Sequence, residues 1–144
     1  MKTELESIYD SKSKKYSQEI LESVCDKILN LDPNIRFAGV ISDKGKLLTG
    51  NKKKRIRSFI DPAHKEMLLM ETALGVRMRK EHDSRLGSVN FTISYGDKLV
   101  SMNFPLEDEI LCVSTEKNID LATMPFLILH LLETNLNKKE KMAR

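Results

Sequence analysis

The chain has 144 residues, of which 40% are hydrophobic and 31% are charged. This length fits one domain, and the apolar content excludes intrinsic disorder as a description of the whole chain. The formal net charge is +3 at pH 7, from 24 Lys and Arg against 21 Asp and Glu, which is too small to predict a polyanionic partner by itself.

The cysteines and the chain start bear on cellular compartment. Cys25 and Cys112 lie far apart in apolar surroundings, without C-x-x-C spacing, so we predict two buried free thiols. The first residues, MKTELESIYD, lack the apolar segment of a secretion signal. No apolar run approaches the roughly 20 residues that a membrane span needs. We therefore expect a cytoplasmic protein without membrane insertion.

The first predicted elements are a helix and a β-hairpin. Apolar residues repeat at helical spacing over residues 20–31, with Ser17 as a candidate N-cap. Pro33 ends this helix because its ring disfavours helical geometry in the preceding residue. Residues 35–41 (IRFAGVI) are β-branched and aromatic enough for a strand, and a glycine-containing turn leads to a returning strand at residues 46–49.

A basic loop and a long helix follow in the prediction. Residues 51–58 lack periodicity, which is typical of a loop. Asp61 and Pro62 are a suitable N-cap and first helical residue, and no stop signal is recognised before the region of Gly87. We therefore predict a second helix over residues 62–82.

Three strands and a last helix complete the chain. Residues 89–95 and 100–104 alternate apolar and polar positions, with a two-residue turn between them. Residues 110–113 predict a further strand. Residues 125–136 predict a short helix that is apolar nearly all round.

The order α-β-β-α-β-β-β-α predicts the fold class. Every connection between strands except the second helix is short, which favours an α+β fold with a five-stranded, mainly antiparallel sheet and helices packed on it. We predict one domain over residues 17–136, preceded by an N-terminal extension (residues 1–16) and followed by a polar tail (residues 137–144).

Catalytic and metal-binding patterns are absent from the sequence. His64, His82 and His130 lie far apart, with no H-E-x-x-H or Cys/His spacing that would gather metal ligands. Residues 39–46 resemble a P-loop superficially, but their spacing is one residue too long and the Ser or Thr that would bind magnesium is missing. Because no G-x-S-x-G elbow occurs either, we predict no enzymatic activity, no cofactor and no metal site.

The second predicted helix is apolar on two sides. At about 100° per residue, its methionines fall within an arc of about 80°, and a second apolar side lies nearly opposite. A helix that rests on a sheet needs one such side, so either another helix of the same chain covers the other side or the protein associates with itself there. A twofold dimer is the simplest closed arrangement, and methionines adapt well to partner surfaces. The residues predicted for the dimer or partner interface are Met67, Met70, Leu74, Arg77, Met78 and Phe91.

The segment FAGVISDKGKLLTG, with the order of elements around it, resembles the roadblock family, which has the dynein light-chain type fold. The segment METALGVRMRKEHDSRLGSVNFTISYGDKLVSMNFPLEDEILCVSTE is also similar to small archaeal proteins of unassigned function. The resemblance implies a central helix on one face of the sheet and terminal helices on the other. It also implies a homodimer in which the central helices pack together and the third strands, residues 88–95 here, join the two sheets. The resemblance further implies a role that is usual in the family, without catalysis, as a platform or co-regulator for Ras-like GTPases, motors or kinases.

The basic loop leaves the partner class open. It either keeps the surface solvated or attracts phosphates or an acidic protein surface. The residues of this predicted basic patch are Lys52, Lys53, Lys54, Arg55 and Arg57. The leading hypothesis is a noncatalytic homodimeric regulatory module that binds a protein partner, such as a Ras-like small GTPase. The alternatives are an electrostatic nucleic-acid binder that uses residues 52–57, and a PAS- or profilin-like small-molecule sensor, which would need an apolar cavity.

Overall fold

The computed structural model describes residues 16–54 and 56–137, so residues 1–15 of the predicted N-terminal extension and residues 138–144 of the predicted tail lie outside it. Its strands are β1 (Ile35–Ser42), β2 (Leu47–Lys52), β3 (Thr92–Tyr95), β4 (Val100–Pro105) and β5 (Glu109–Thr115). They form one sheet in the order β2-β1-β5-β4-β3, and each neighbouring pair is antiparallel. The predicted five-stranded antiparallel sheet and α+β class are confirmed.

The helices are α1 (Gln18–Leu29), α2 (Pro62–Lys80), the short α3 (Asp83–Leu86) and α4 (Met124–Leu132), which continues into a π-helical turn at Glu133–Asn137. Both long amphipathic helices begin at the predicted caps. The Ser17 hydroxyl accepts the backbone N–H of Ile20 at 3.2 Å, and the Asp61 carboxylate accepts that of His64 at 2.9 Å. None of the helices in the described part of the chain combines the length and apolarity that a membrane crossing requires.

The two faces of the sheet carry cores of very different size. On one face, α1 and α4 pack against alternate residues of the central strands, including Val40, Phe104 and Leu111, in a large apolar cluster. On the other face, α2 contributes Ala73 to a small cluster with Ile41 and Ile110. Among the described residues, this arrangement places α2 on one face of the sheet and the terminal helices α1 and α4 on the other.

Several element boundaries differ from the sequence prediction. β2 runs on to Lys52, inside the predicted loop, because residues 51 and 52 keep backbone register with β1. β3 begins at Thr92, because the pairing with β4 extends only from there to Tyr95. α2 ends at Lys80, and the chain turns into α3 before Gly87, whose φ of +82° ends the helical path.

Candidate partner interface

The exposed side of α2 carries a continuous row of large apolar side chains. Met67, Met70, Leu74 and Met78, which we call the methionine stripe, are 65%, 60%, 50% and 62% exposed. Of the fully described α2, only Ala73 is buried. Because α1 and α4 pack on the opposite face of the sheet, neither covers the stripe. A stripe of this kind, left open in the described chain, is typical of an interaction surface.

The sheet-facing side of α2 is held by few contacts. Leu69 and Val76 pack with Ala73 over the ends of β1 and β5. Near the start of α2, the Lys65 ammonium lies 4.9 Å from the centroid of the Phe37 ring. Gly39 leaves room for the Phe37 ring, because an added Cβ at Gly39 would lie only 2.5 Å from the Cζ atom of that ring. Because α2 contacts the sheet through few residues, most of its surface remains exposed.

The other residues predicted for the interface separate in space. Arg77 lies on α2 and is exposed. Phe91 is half-buried on the opposite face of the sheet, where its ring centroid is 5.6 Å from that of Phe104 and 5.3 Å from that of Phe126. The structure therefore groups Arg77 with the helix of the methionine stripe and places Phe91 in an aromatic cluster inside its own chain.

Leu47 is an apolar surface residue that the sequence reasoning missed. It is 47% exposed and pairs with Ile41, whose side chain packs beneath α2. Paired residues of adjacent strands share a sheet face, so Leu47 lies on the α2 face while Leu48 packs into the large core. The sequence signal for this position is that adjacent residues of a strand, here Leu47 and Leu48, point to opposite faces of the sheet.

The edge of β3 is a second feature to which another chain can bind. Within the described residues, β3 pairs with β4 on one side and forms the sheet edge on the other. All four of its residues are exposed. An edge of this kind presents unpaired backbone groups to which another strand can add.

A groove of about 600 Å³ runs between the C-terminal half of α2 and strands β3 and β4. Its lining includes Thr72, Gly75, Arg79, Thr92 and Asn103. The Arg79 guanidinium is already engaged, with Nη1 donating to the Asp83 carboxylate at 3.0 Å. This open, partly charged groove differs from the enclosed apolar cavity that the small-molecule sensor hypothesis requires.

The predicted basic patch does not consist of equivalent free charges. Lys53 Nζ donates to the backbone oxygens of Asp32 at 2.6 Å and of Ile35 at 2.9 Å. Desolvation lowers the pKa of Lys53, and the charge of Asp32 partly opposes that effect. Lys53 is therefore a structural residue that fixes the start of β1. Three others, Lys52, Lys54 and Arg57, are exposed, and Arg55 lies outside the described residues.

The thiols are poorly suited to nucleophilic chemistry. Burial raises the pKa of Cys25 to about 12, with further contributions from the charges of Asp26 and Glu22. Burial also raises the pKa of Cys112 to about 12. Cys112 is only half-buried by side-chain exposure, so the prediction of two buried thiols is wrong for this residue, because it lies on the thinly covered α2 face. Among the described residues, no group of three or more His, Cys, Asp or Glu side chains is placed to hold a metal ion.

Three solved structures show the same architecture. A Roadblock/LC7 domain from Streptomyces avermitilis is 14% identical, with a TM-score of 0.61 over 79% of this chain and 92% of that one. MglB from Myxococcus xanthus is 17% identical, with a TM-score of 0.67 over 88% and 93% of the two chains. A structure described as MglB with a tetrameric arrangement is 16% identical, with a TM-score of 0.60 over 84% and 95%. Identities this low establish the fold alone, and they confirm the roadblock-type fold.

Comparisons at the level of sequence give a family. No curated protein matches the chain significantly. A family model described as a family of unknown function (DUF6659) matches residues 13–140, which is most of the chain. The protein therefore belongs to the DUF6659 family and has a roadblock-type fold.

Proposed function

We propose that this protein is a noncatalytic homodimeric regulatory module that binds a protein partner, and that its partner is a Ras-like small GTPase. The observation that carries the proposal is the methionine stripe, which is exposed along α2 although every residue in it is large and apolar. A second copy of the same chain would cover the stripe with its own stripe, which is the simplest self-complementary arrangement.

The free energy gained by burying the stripe indicates that a stable dimer requires a second contact. Full burial of one such side chain contributes about 1.5–3 kcal/mol, and the stripe residues have half to two-thirds of their surface left to bury. Two facing stripes would then contribute on the order of 7–14 kcal/mol, which is similar to the cost of about 4–15 kcal/mol for association. The open edge of β3 is the natural additional contact, because strand pairing adds backbone hydrogen bonds.

Self-assembly has further support in the comparisons. One of the similar MglB structures is described as a tetrameric arrangement, so this fold is compatible with assembly from several copies. The partner class rests on the roadblock-type fold, since the resemblance implied platforms or co-regulators of Ras-like GTPases. Both thiols have a high pKa, and the His64 ring is bonded to the Asp61 carboxylate that caps α2. These features support a role in binding over a role in catalysis.

The dimer is tested by molar mass from light scattering coupled to size-exclusion chromatography. We expect the wild type at twice the mass of the chain, and Leu74→Glu or Met70→Glu at the mass of one chain, because each buries a charge in the proposed contact. Leu86→Glu is the matched control, since Leu86 is 71% exposed on α3, outside the stripe, and should leave the mass unchanged. A monomeric wild type, or a dimeric and folded Leu74→Glu, would contradict the proposal.

The partner class needs a separate measurement. Purified Ras-like GTPases from the same organism, loaded with GDP or with a nonhydrolysable GTP analogue, are titrated with the wild-type protein by calorimetry. We expect binding in the micromolar range that differs between the two nucleotide states. If no GTPase binds in either state, the partner class is wrong even where the dimer is confirmed.

A further inference from the structure

A surface that shares no residue with the methionine stripe combines exposed cations with exposed aromatic rings. It lies at the end of the sheet where β1 begins and β5 ends, close to the turn between β3 and β4. We propose that this surface, which we call the basic end, docks an acidic segment of a protein partner. Its exposed residues are Arg57, Phe59, Tyr95, Lys98 and Lys117, and the mostly buried Arg36 anchors them.

The strand register places these residues at one end of the sheet. Ile35 at the start of β1 and Val100 at the start of β4 both pair with Thr115 at the end of β5. Tyr95 at the end of β3 pairs with Val100, so the four strands β1, β5, β4 and β3 are aligned there. The basic end therefore gathers residues from four separate segments of the chain.

Arg36 fixes the loop before α2 onto this end. Its Nη1 donates to the Glu116 carboxylate at 2.7 Å, and its Nη2 donates to the backbone oxygen of Arg57 at 2.7 Å. Its Cζ also lies 4.5 Å from the centroid of the Phe59 ring. The Arg36 side chain is only 11% exposed, so these contacts hold the Arg57 to Phe59 segment in place.

Two lysines stand beside exposed rings. Lys98 Nζ lies 5.9 Å from the Phe59 centroid, and Lys117 Nζ lies 4.9 Å from the Tyr95 centroid, both within cation–π range. Phe59 is 51% exposed and Tyr95 is 59% exposed. Within the described part of the chain, neither ammonium group has a carboxylate at ion-pair distance. Both lysines are therefore held near a ring with their charge available to a ligand.

The ligand chemistry follows from how the rings are used. In a single-stranded nucleic acid the bases would need free ring faces, but cations of the chain itself already lie beside both rings. Lys53 is also turned inward, which interrupts the basic row that a phosphate backbone would follow. Separate positive charges instead suit the carboxylates of an extended peptide, whose side chains on one face repeat about every 6.6–6.8 Å. An acidic polypeptide is thus favoured over a nucleic acid.

This surface does not depend on the proposed dimer. Pairing at the edge of β3 uses backbone groups in the plane of the sheet, whereas the Tyr95 side chain stands off the sheet face. The methionine stripe lies on α2 and contributes no residue to the basic end. A failure of the dimer proposal would therefore leave this proposal standing, and the reverse also holds.

The test measures binding of a fluorescent peptide of about ten glutamates, which spans roughly 33 Å when extended, by anisotropy at low salt. The variant Lys98→Glu/Lys117→Glu is compared with Lys44→Glu/Lys46→Glu, which changes net charge equally in the β1–β2 turn at the opposite end of the sheet. We expect the first variant to weaken binding about tenfold or more and the second to weaken it less than about twofold.

Three results would overturn the proposal. The wild type could fail to bind the peptide, or both double variants could weaken binding equally, which would show an effect of net charge alone. The third is that an oligothymidylate of the same charge binds more tightly than the peptide and loses its affinity in Lys98→Glu/Lys117→Glu. That last result would assign the surface to single-stranded nucleic acid.

Discussion

Gly45 and the backbone of Met70 are in such close approach that an added Cβ on Gly45 would lie 2.6 Å from the Met70 Cα. Gly45 has a φ of +87°, which disfavours other residues as well. The turn between β1 and β2 thus rests directly on α2, at a residue of the methionine stripe. A glycine in this turn positions the proposed interface.

Substitution of Gly45 should loosen α2. We expect Gly45→Ala to lower the free energy of unfolding by roughly 2–4 kcal/mol, because the left-handed conformation costs about 1–2 kcal/mol and the collision with helix backbone adds a similar amount. Urea unfolding followed by circular dichroism measures the change. Gly75→Ala is the control, since an added Cβ there meets nothing within 4 Å and should stabilise α2 by about 0.5–1 kcal/mol.

Gly45→Asn separates the two causes. Asparagine tolerates a positive φ better than alanine, so it retains the collision with Met70 while relieving part of the backbone strain. We expect Gly45→Asn to remain clearly destabilised. Stability equal to that of the wild type would show that the close approach to α2 has no energetic consequence.

Lys53 should act on stability, unlike its basic neighbours. Lys53→Met removes the ammonium that bonds the Asp32 and Ile35 carbonyl oxygens, so we expect a loss of roughly 1–2 kcal/mol in the free energy of unfolding. Lys54→Met, at an exposed position next to it, should change stability by less than about 0.5 kcal/mol. Equal effects of the two substitutions in urea titrations would show that the Lys53 bonds contribute nothing.

The sequence predicted the fold and the methionine stripe because both depend on short-range periodicity. The spacing of Met67, Met70, Leu74 and Met78 requires only helical geometry, and the alternation in β4 requires only strand geometry. The surroundings of Lys53 and Phe91 could not be predicted in this way because they are set by distant segments. Lys53 reaches back to the turn before β1, and Phe91 turns to rings of β4 and α4.

The basic end depends even more on segments that are distant in the sequence. Its cations come from β1, from the loop before α2, from the β3–β4 turn and from the residues after β5. Along the sequence, only Arg57 belongs to a visibly basic run. Strand order brings the others beside it, and no local pattern encodes that order.

The thiols should resist modification in the folded protein. With a pKa of about 12 for Cys25 and Cys112, the thiolate fraction at pH 8 is on the order of 10⁻⁴, against about 10⁻¹ for an unfolded cysteine. A chromogenic disulfide reagent should therefore label both at least about 100-fold more slowly in buffer than in denaturant. Ser58→Cys, at an exposed loop position, is the positive control and should label rapidly. Rapid labelling of either native thiol would contradict the raised pKa given for it.

The cap of α2 should make stability depend on acid pH. The pKa of Asp61 is lowered chiefly because its carboxylate accepts the backbone N–H of His64, and further because it bonds the His64 ring. The folded pKa therefore lies below the ordinary value of 3.8, so this contribution is present above that pH and is lost as pH falls through the folded pKa. Asp61→Asn keeps a capping oxygen without a titrating charge.

We expect the urea midpoint of Asp61→Asn to fall less than that of the wild type between about pH 5 and about pH 3. Asp43→Asn is the matched control, because the Asp43 carboxylate accepts no hydrogen bond from any described residue, and it should follow the wild type. The pKa of Asp120 is also lowered, chiefly by the Thr123 hydroxyl, so Asp120→Asn should reduce the acid dependence separately. Asp61 caps α2, whereas the Asp120 carboxylate accepts the Ala122 N–H in the turn before α4, so the two effects should add in the double variant. An Asp61→Asn midpoint that falls as steeply as that of the wild type would show that the ionised cap gives α2 no advantage.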